Sequence, residues 1–206
     1  MKKNKQWSLK SVAEYYGYLD SKDEVDNSVD GWGTHHVAFA EWLENNFYGK
    51  KPTIVDIGCG NARVLEFIDT DSIGYYTGYD VNEHLISLAK ERYKHFTNTD
   101  FVVADLDSSY INFVDDSNIV YIDNVLTMLE NPYNTLKKLS TNCNHIFVNR
   151  SKFYKEEEKT KNKWGGMEEE SVLWKFSAEN MKAFAANNGL EFLPGTNNTF
   201  ILSRED

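Results

Sequence analysis

Short apolar runs alternate with amphipathic segments between residues 54 and 203, and this alternation constrains the fold more than any other feature. Repeated strand and helix units of this kind build a parallel sheet with helices on both faces. We predict seven strands, at residues 53–57, 76–79, 101–104, 119–122, 146–149, 190–193 and 199–202. The predicted fold class is therefore α/β, with a seven-stranded, mostly parallel sheet.

Helix and turn signals support this order of elements. Asn82 precedes an apolar stripe as a predicted N-cap, Asn131 precedes a first-turn proline, and Ser177 begins a helix that stops before Gly189. The last two strands are joined by the turn-rich residues 194–198, which favour a hairpin. We therefore expect the last strand to be antiparallel.

Two regions lie outside the regular pattern. Residues 1–48 contain no clear strand and end in an amphipathic segment, so we predict a small N-terminal helical cap or lid before a main domain at residues 49–206. Residues 151–175 carry a mixed charge run, and we expect a long irregular loop there, of the kind that forms a lid.

The composition limits the partners of the chain. There are 22 Lys and Arg against 32 Asp and Glu, a net charge of −10, which disfavours a nucleic-acid substrate. No apolar stretch approaches the roughly 20 residues that span a bilayer, so no membrane association is expected. The two cysteines, Cys59 and Cys143, are too few for a disulfide framework. We expect a cytoplasmic monomer or homodimer.

The most informative motif is the segment Ile-Val-Asp-Ile-Gly-Cys-Gly-Asn-Ala-Arg at residues 54–63, which predicts a strand, a glycine turn and then a helix. Glycine allows the backbone to turn sharply and to approach a ligand closely. A dinucleotide-binding fingerprint would place a third glycine at Arg63. A nicotinamide-dependent oxidoreductase is therefore a weaker alternative.

The segment resembles the first motif of class I, Rossmann-like S-adenosylmethionine-dependent methyltransferases, through Asp56, Gly58 and Gly60; the third small position is Ala62. The resemblance implies that the glycine turn lies under the methionine part of S-adenosylmethionine, and that Asp56 orients its amino group or ordered water. It also implies a transferase that uses S-adenosylmethionine for methylation.

Two further carboxylates follow the next two predicted strands. Asp80 ends the second strand, where a carboxylate can bind both ribose hydroxyls, and Asp105 ends the third, where the family places a contact to the adenine. Ligands of open α/β sheets bind beyond the carboxyl ends of the strands, so these side chains are expected to converge on one crevice. Their neighbours Val81 and Leu106 complete this part of the predicted cofactor site.

The remaining candidates surround the same crevice. Trp32 is expected to enclose the cofactor, Cys59 to pack beneath it, and Asn124 to line its boundary with the acceptor. The candidate catalytic residues are His35, His36 and Asp123, any of which would serve as the base for a hydroxyl acceptor. An amine acceptor would need only desolvation. No metal site is predicted.

The acidic chain and its aromatic content favour a small-molecule or sugar-type acceptor, methylated by in-line displacement. A protein side chain as acceptor and a cofactor-binding module without catalytic activity remain alternatives. The sequence does not distinguish methylation of oxygen, nitrogen or carbon.

Overall fold

The computed structural model describes residues 33–105, 117–162, 171–196 and 198–204. Four α-helices lie within these ranges: α1 (Gly33–Phe47), α2 (Glu83–Arg92), α3 (Pro132–Ser140) and α4 (Ala178–Asn187). The same ranges hold ten strands: β1 (Thr53–Ile57), β2 (Tyr75–Asp80), β3 (Thr99–Val103), β4 (Ser117–Asp123), β5 (Cys143–Asn149), β6 (Phe153–Tyr154), β7 (Glu158–Asn162), β8 (Ser171–Ser177), β9 (Glu191–Pro194) and β10 (Phe200–Ser203).

Seven strands form the main sheet in the order β3-β2-β1-β4-β5-β10-β9. Strands β1 to β5 pair in parallel, whereas β10 is antiparallel to both of its neighbours. The predicted fold class and the antiparallel last strand are thus confirmed. The strand order reverses direction between β1 and β4, and a crevice at such a point is where ligands bind in open α/β sheets.

Alternating side chains of each strand pack on opposite faces of the sheet. Ile54 belongs to the cluster that includes Phe39 of α1 and Ile86 of α2, while the adjacent Val55 belongs to the cluster that includes Leu136 of α3 and Met181 of α4. Period-two alternation therefore places helices on both faces, as predicted. We call the side that carries α1 and α2 the α1 face.

All three predicted helix starts are confirmed, and in two of them the N-cap side chain accepts a hydrogen bond. The Asn82 side chain accepts hydrogen bonds from the backbone N–H groups of His84 and Leu85. Ser177 accepts one from the N–H of Asn180. Asn131 precedes Pro132 at the start of α3, but its side chain makes no capping hydrogen bond.

The helix predicted after the glycine turn is wrong, because the structure has only a four-residue 3₁₀ segment, Arg63–Glu66. Ala62 precedes it in the left-handed conformation, with φ of 59°. A second 3₁₀ segment, Thr70–Ser72, follows, and the side chain of Asp69 caps it. These two short segments leave no room for an α-helix before β2.

The described parts of the predicted irregular loop, residues 151–162 and 171–175, are also more regular than predicted. Strand β8 pairs antiparallel with β7 and parallel with the short β6, which makes a second, three-stranded sheet. All the residues of β7 are polar or charged, so its sequence shows no apolar alternation that would indicate a strand. The indole N–H of Trp174 in β8 donates to the carbonyl of Leu129, 3.1 Å away, so this sheet lies beside the segment that follows β4.

In the described ranges no helix is both long and apolar enough to cross a membrane.

Candidate active site

The glycine turn links the carboxyl ends of β1 and β2. The backbone N–H groups of Gly58 and Cys59 both donate to the carbonyl of Tyr79, at 2.8 and 2.9 Å. Gly58 has φ of 71°, and a Cβ on it would lie 2.1 Å from a methyl carbon of Val125. Glycine is required at residue 58 by this packing, because the turn fits closely against the segment that follows β4.

The Asp80 carboxylate closes the turn from β2. One oxygen accepts from the N–H of Gly60 and the other from the N–H of Asn82, both at 2.8 Å. Burial raises the pKa of Asp80, and the hydrogen bonds from the backbone of Asn82, Gly60 and Val81 oppose that rise. Each carboxylate oxygen keeps a second lone pair, so the pair of ribose hydroxyls of a nucleoside fits this group.

The Asp56 carboxyl lies near the end of β1 and is only 3% exposed. One of its oxygens accepts from the hydroxyl of Tyr76 at 2.5 Å. Burial raises the pKa of Asp56 to about 8, the Tyr76 hydrogen bond opposes this, and the negative charges of Asp123 and Asp80 raise it further. A cationic ammonium group fits beside this carboxyl because it would favour the ionised form.

The end of β3 lies next to Asp80. The N–H of Ala104 donates to the Asp80 carbonyl at 2.8 Å, which places Asp105, the following residue, at the same edge. Asp105 is exposed, whereas Val81 is partly buried and packs against the core. The strand ends that carry Asp56, Asp80 and Asp105 are thus adjacent in the order β1, β2, β3.

The ends of β4 and β5 carry a bidentate ion pair. The Arg150 guanidinium donates from Nε and Nη2 to the two Asp123 oxygens, each at 2.7 Å. Asn124 and Arg150 both adopt left-handed conformations, with φ of 56° and 52°. Such conformations are uncommon for residues other than glycine and concentrate at functional sites.

His36 reaches the α1 face of the sheet from α1. Its Nδ1 lies 3.0 Å from the hydroxyl of Tyr121, and the amide nitrogen of Asn149 donates to that same hydroxyl at 2.9 Å. His35 lies in α1, but its side chain is outside the described set. Trp32 and Leu106, which are predicted cofactor contacts, lie outside the described residues.

Cys59 packs between the glycine turn and β2. A Cβ on Gly78 would come within 2.7 Å of the Cys59 sulfur, so the missing side chain at residue 78 makes room for the thiol. Burial raises the pKa of Cys59 well above the usual range, and the Asp56 and Asp80 charges add to the effect. The thiol is therefore held neutral, which suits a packing role and not that of a nucleophile.

Sequence reasoning missed four residues that lie around these side chains: Tyr76, Tyr121, Asn149 and Arg150. Strand register would have indicated the first two, because Tyr76 pairs with Ile54, and Tyr121 pairs with Asp56, on the α1 face. Asn149 is the last residue of β5 and Arg150 follows it, so the rule that polar residues at the carboxyl ends of parallel strands lie at the ligand-binding edge would have indicated both. Their partners depend on the left-handed turns, which no local sequence signal specifies.

A family model described as a methyltransferase domain matches residues 54–145, from β1 into β5. A search of curated proteins finds no match to the chain. The matched segment contains the glycine turn together with Asp56, Asp80 and Asp105.

Solved structures share the fold at low sequence identity. Magnesium protoporphyrin IX methyltransferase from Synechocystis PCC 6803 with bound S-adenosylmethionine has a TM-score of 0.65 and 14% identity, covering 98% of this chain and 100% of that one. An amino pentose methyltransferase of Micromonospora echinaspora, involved in calicheamicin biosynthesis and also bound to S-adenosylmethionine, has a TM-score of 0.63 and 14% identity over 100% of both chains. A [4+2]-cyclase has a TM-score of 0.65 and 16% identity, covering 92% of this chain and 75% of that one.

At these identities the solved structures show the fold alone, and the cyclase demonstrates that the fold carries more than one reaction. The methyltransferase domain match covers the segment that carries Asp56, Asp80 and Asp105 near the ends of β1, β2 and β3. Over residues 54–145 the chain is therefore similar to a methyltransferase domain, and its fold is shared with methyltransferases that bind S-adenosylmethionine.

Proposed function

We propose that this enzyme methylates a small-molecule, sugar-type acceptor that binds beside the ends of β4 and β5. The observation that supports the proposal most directly is the polar character of these strand ends, where the Asp123–Arg150 pair and Asn124 lie together. Hydrogen-bonding side chains in fixed positions suit an acceptor rich in hydroxyl or amino groups. The amino pentose methyltransferase that shares this fold acts on an acceptor of that class.

The cofactor is assigned to the neighbouring strand ends. Gly58, Cys59 and Gly60 would lie under its methionine part, Asp56 would bind its ammonium group, and Asp80 would bind its ribose. Val81, Asp105 and Leu106 would surround the adenine, with Asn124 and Trp32 at the boundary of the site. Residues 1–48 would then form a cap over the crevice, of which α1 is the described part.

The bound cofactor supplies a sulfonium methyl group, which an acceptor lone pair attacks in line as the carbon–sulfur bond breaks. The protein therefore acts chiefly by holding the acceptor in position and excluding water. Arg150 binds both oxygens of Asp123, so we assign Asp123 the role of orienting the acceptor, with His35 as the candidate base for a hydroxyl.

The test uses S-adenosylmethionine with an isotopically labelled methyl group, incubated with the enzyme and a cell extract. The extract is then separated into metabolites and protein. The proposal expects a mass increase of one methyl group on a small, hydroxyl-rich or amino-rich metabolite. Label recovered only in protein would support the protein-side-chain alternative, and the absence of label in both fractions would support the binding-module alternative.

A further inference from the structure

We propose that Asn149 and Tyr121 are positioning residues that hold His36 with its single proton on Nε2, so that His36 donates a hydrogen bond to the methionine carboxylate of the cofactor. His36 would then be a binding residue and would not act as the base. The inference rests on the proposed placement of the methionine part of the cofactor at Asp56.

The three side chains form a chain of hydrogen bonds on the α1 face of the sheet. Tyr121 and Asn149 are both fully buried, at 0% exposure, and their polar atoms are 2.9 Å apart. The Tyr121 hydroxyl is also 3.0 Å from Nδ1 of His36. Packing around Tyr121 is tight, because the Phe39 ring stacks on it with centroids 4.2 Å apart. This phenol is therefore held in one orientation.

The direction of these hydrogen bonds follows from which atoms of the three side chains can donate and which can accept. An amide nitrogen only donates, so Asn149 occupies a lone pair of the Tyr121 oxygen. Burial, together with the charges of Asp123 and Asp56, raises the pKa of Tyr121 well above its usual value, so the phenol keeps its proton. That proton is then donated to Nδ1 of His36, the other hydrogen-bond partner of the hydroxyl.

The direction of the bond fixes the tautomer of His36. A neutral imidazole carries one N–H, so an Nδ1 that accepts a hydrogen bond requires the proton to be on Nε2. An Nε2–H group can donate a hydrogen bond but has no lone pair with which to remove a proton. With the Asn149 nitrogen facing the phenol, the opposite tautomer would make Tyr121 accept two donors and leave its buried proton without an acceptor, which is costly.

The position of the chain favours a carboxylate as the ligand of His36. Tyr121 is the cross-strand partner of Asp56, and the charge of Asp56 helps to raise the pKa of the Tyr121 hydroxyl, so this hydroxyl lies within electrostatic range of the proposed ammonium site. In an amino acid the ammonium and carboxylate groups are attached to the same carbon. A carboxylate near Asp56 needs a donor to offset the acidic surroundings, and Nε2–H of His36 provides one.

The first test is long-range ¹H–¹⁵N NMR of the imidazole groups in the full-length, cofactor-free protein. The chain has five histidines, and the His36 signals are assigned by their loss in His36→Gln. We expect a protonated Nε2 and an unprotonated Nδ1 at neutral pH, and an altered pattern in Tyr121→Phe. A proton on Nδ1, or on both nitrogens, would overturn the inference.

The second test measures binding of two probes by calorimetry: S-adenosylhomocysteine, and methylthioadenosine, which lacks the amino-acid part. His36→Ala should weaken S-adenosylhomocysteine binding by about tenfold or more, because a charge-assisted hydrogen bond is lost. His36→Gln retains an N–H donor at a similar reach, so its loss should be several-fold smaller than that of His36→Ala. Methylthioadenosine should bind all three proteins equally.

Asp56→Asn separates failure of this inference from failure of the proposed site. If Asp56→Asn weakens S-adenosylhomocysteine binding but His36→Ala does not, the site placement stands and the role of His36 is refuted. If neither substitution affects binding, the methionine part does not lie at Asp56. An equal loss of both probes in His36→Ala would also contradict a contact with the carboxylate.

Discussion

Asp56 is the residue whose surroundings depart most from those of an ordinary carboxylate. It is buried on the α1 face, accepts a hydrogen bond from Tyr76, and lies near Asp80 and Asp123. Without a bound cation, its raised pKa of about 8 keeps it largely protonated at neutral pH. Binding of a cation there would therefore release a proton.

This raised pKa predicts how stability depends on pH in the cofactor-free protein. Because the folded-state pKa lies above the unfolded one, the stabilisation is present at low pH and is lost as the pH rises toward 8. Between pH 6 and pH 8, wild type should lose stability relative to Asp56→Asn, by at most about 1.4 kcal/mol per pH unit. Urea denaturation of both proteins measures the difference, and parallel pH profiles would refute the prediction.

Gly58 permits a second prediction at the residue scale, because Gly49 is a matched control. The two glycines have φ of 71° and 73°, but a Cβ on Gly49 meets nothing within 4 Å, whereas one on Gly58 would collide with Val125. Gly49→Ala should cost about 1–2 kcal/mol of unfolding free energy from backbone strain alone. Gly58→Ala should cost about 1–3 kcal/mol more, because the collision adds to the strain.

Chemical denaturation of both variants tests this, and Gly58→Ala combined with Val125→Ala should recover part of the additional loss. Equal costs at the two glycines would show that the turn does not pack against Val125 as described.

At the scale of elements, the sequence predicts what local rules determine. Alternation of apolar residues identified the seven strands of the main sheet, and side-chain caps identified the starts of α2 and α4. The same rules failed after Gly60, where a left-handed Ala62 is followed by a short 3₁₀ segment in place of an α-helix, and in β7, which has no apolar residues. Both failures arise because tertiary packing, and not local preference, determines the conformation.

In the candidate site, too, local rules predict some features, and others depend on tertiary packing. The proximity of Gly60 to Asp80 was predictable because a turn after β1 and the end of β2 lie at the same edge of a parallel sheet, and the ligand-binding role of these residues stays a prediction. The contact of Tyr121 with His36 was not, because it joins residues 85 positions apart. Long-range pairs of this kind depend on the register of β1 and β4 and on the docking of α1.

The Asp123–Arg150 pair joins β4 to β5, and its contribution is tested by a double-mutant cycle. The two side chains are 10% and 16% exposed, so each charge depends on the other for compensation. Arg150→Gln should cost about 2 kcal/mol or more, and its combination with Asp123→Asn should cost less than the sum of the single changes. The exposed pair Lys94–Glu91 is the control and should show no measurable coupling.

Unfolding free energies of the four members of each cycle give the coupling. Additive effects at Asp123 and Arg150 would contradict a mutually compensating pair.

At the scale of the whole molecule, the family match covers only part of the fold. The methyltransferase domain match spans residues 54–145, whereas α1 and the three-stranded sheet of β6, β7 and β8 lie outside it. The proposed cofactor site lies mostly within the matched segment, and the elements beside the ends of β4 and β5 lie partly beyond it. Acceptor choice is therefore expected to depend on elements that the family match does not cover.

We infer that the strand ends of β1, β2 and β3 together bind one adenosyl ligand, with the Asp80 carboxylate on the ribose. Calorimetric titration of S-adenosylhomocysteine into wild type, Asp80→Ala and the exposed control Glu91→Ala tests it, with circular dichroism to confirm that each protein is folded. We predict binding at least about tenfold weaker in Asp80→Ala alone, because charge-assisted hydrogen bonds to the ribose are lost. A folded Asp80→Ala protein that binds the ligand as tightly as wild type would contradict the claim.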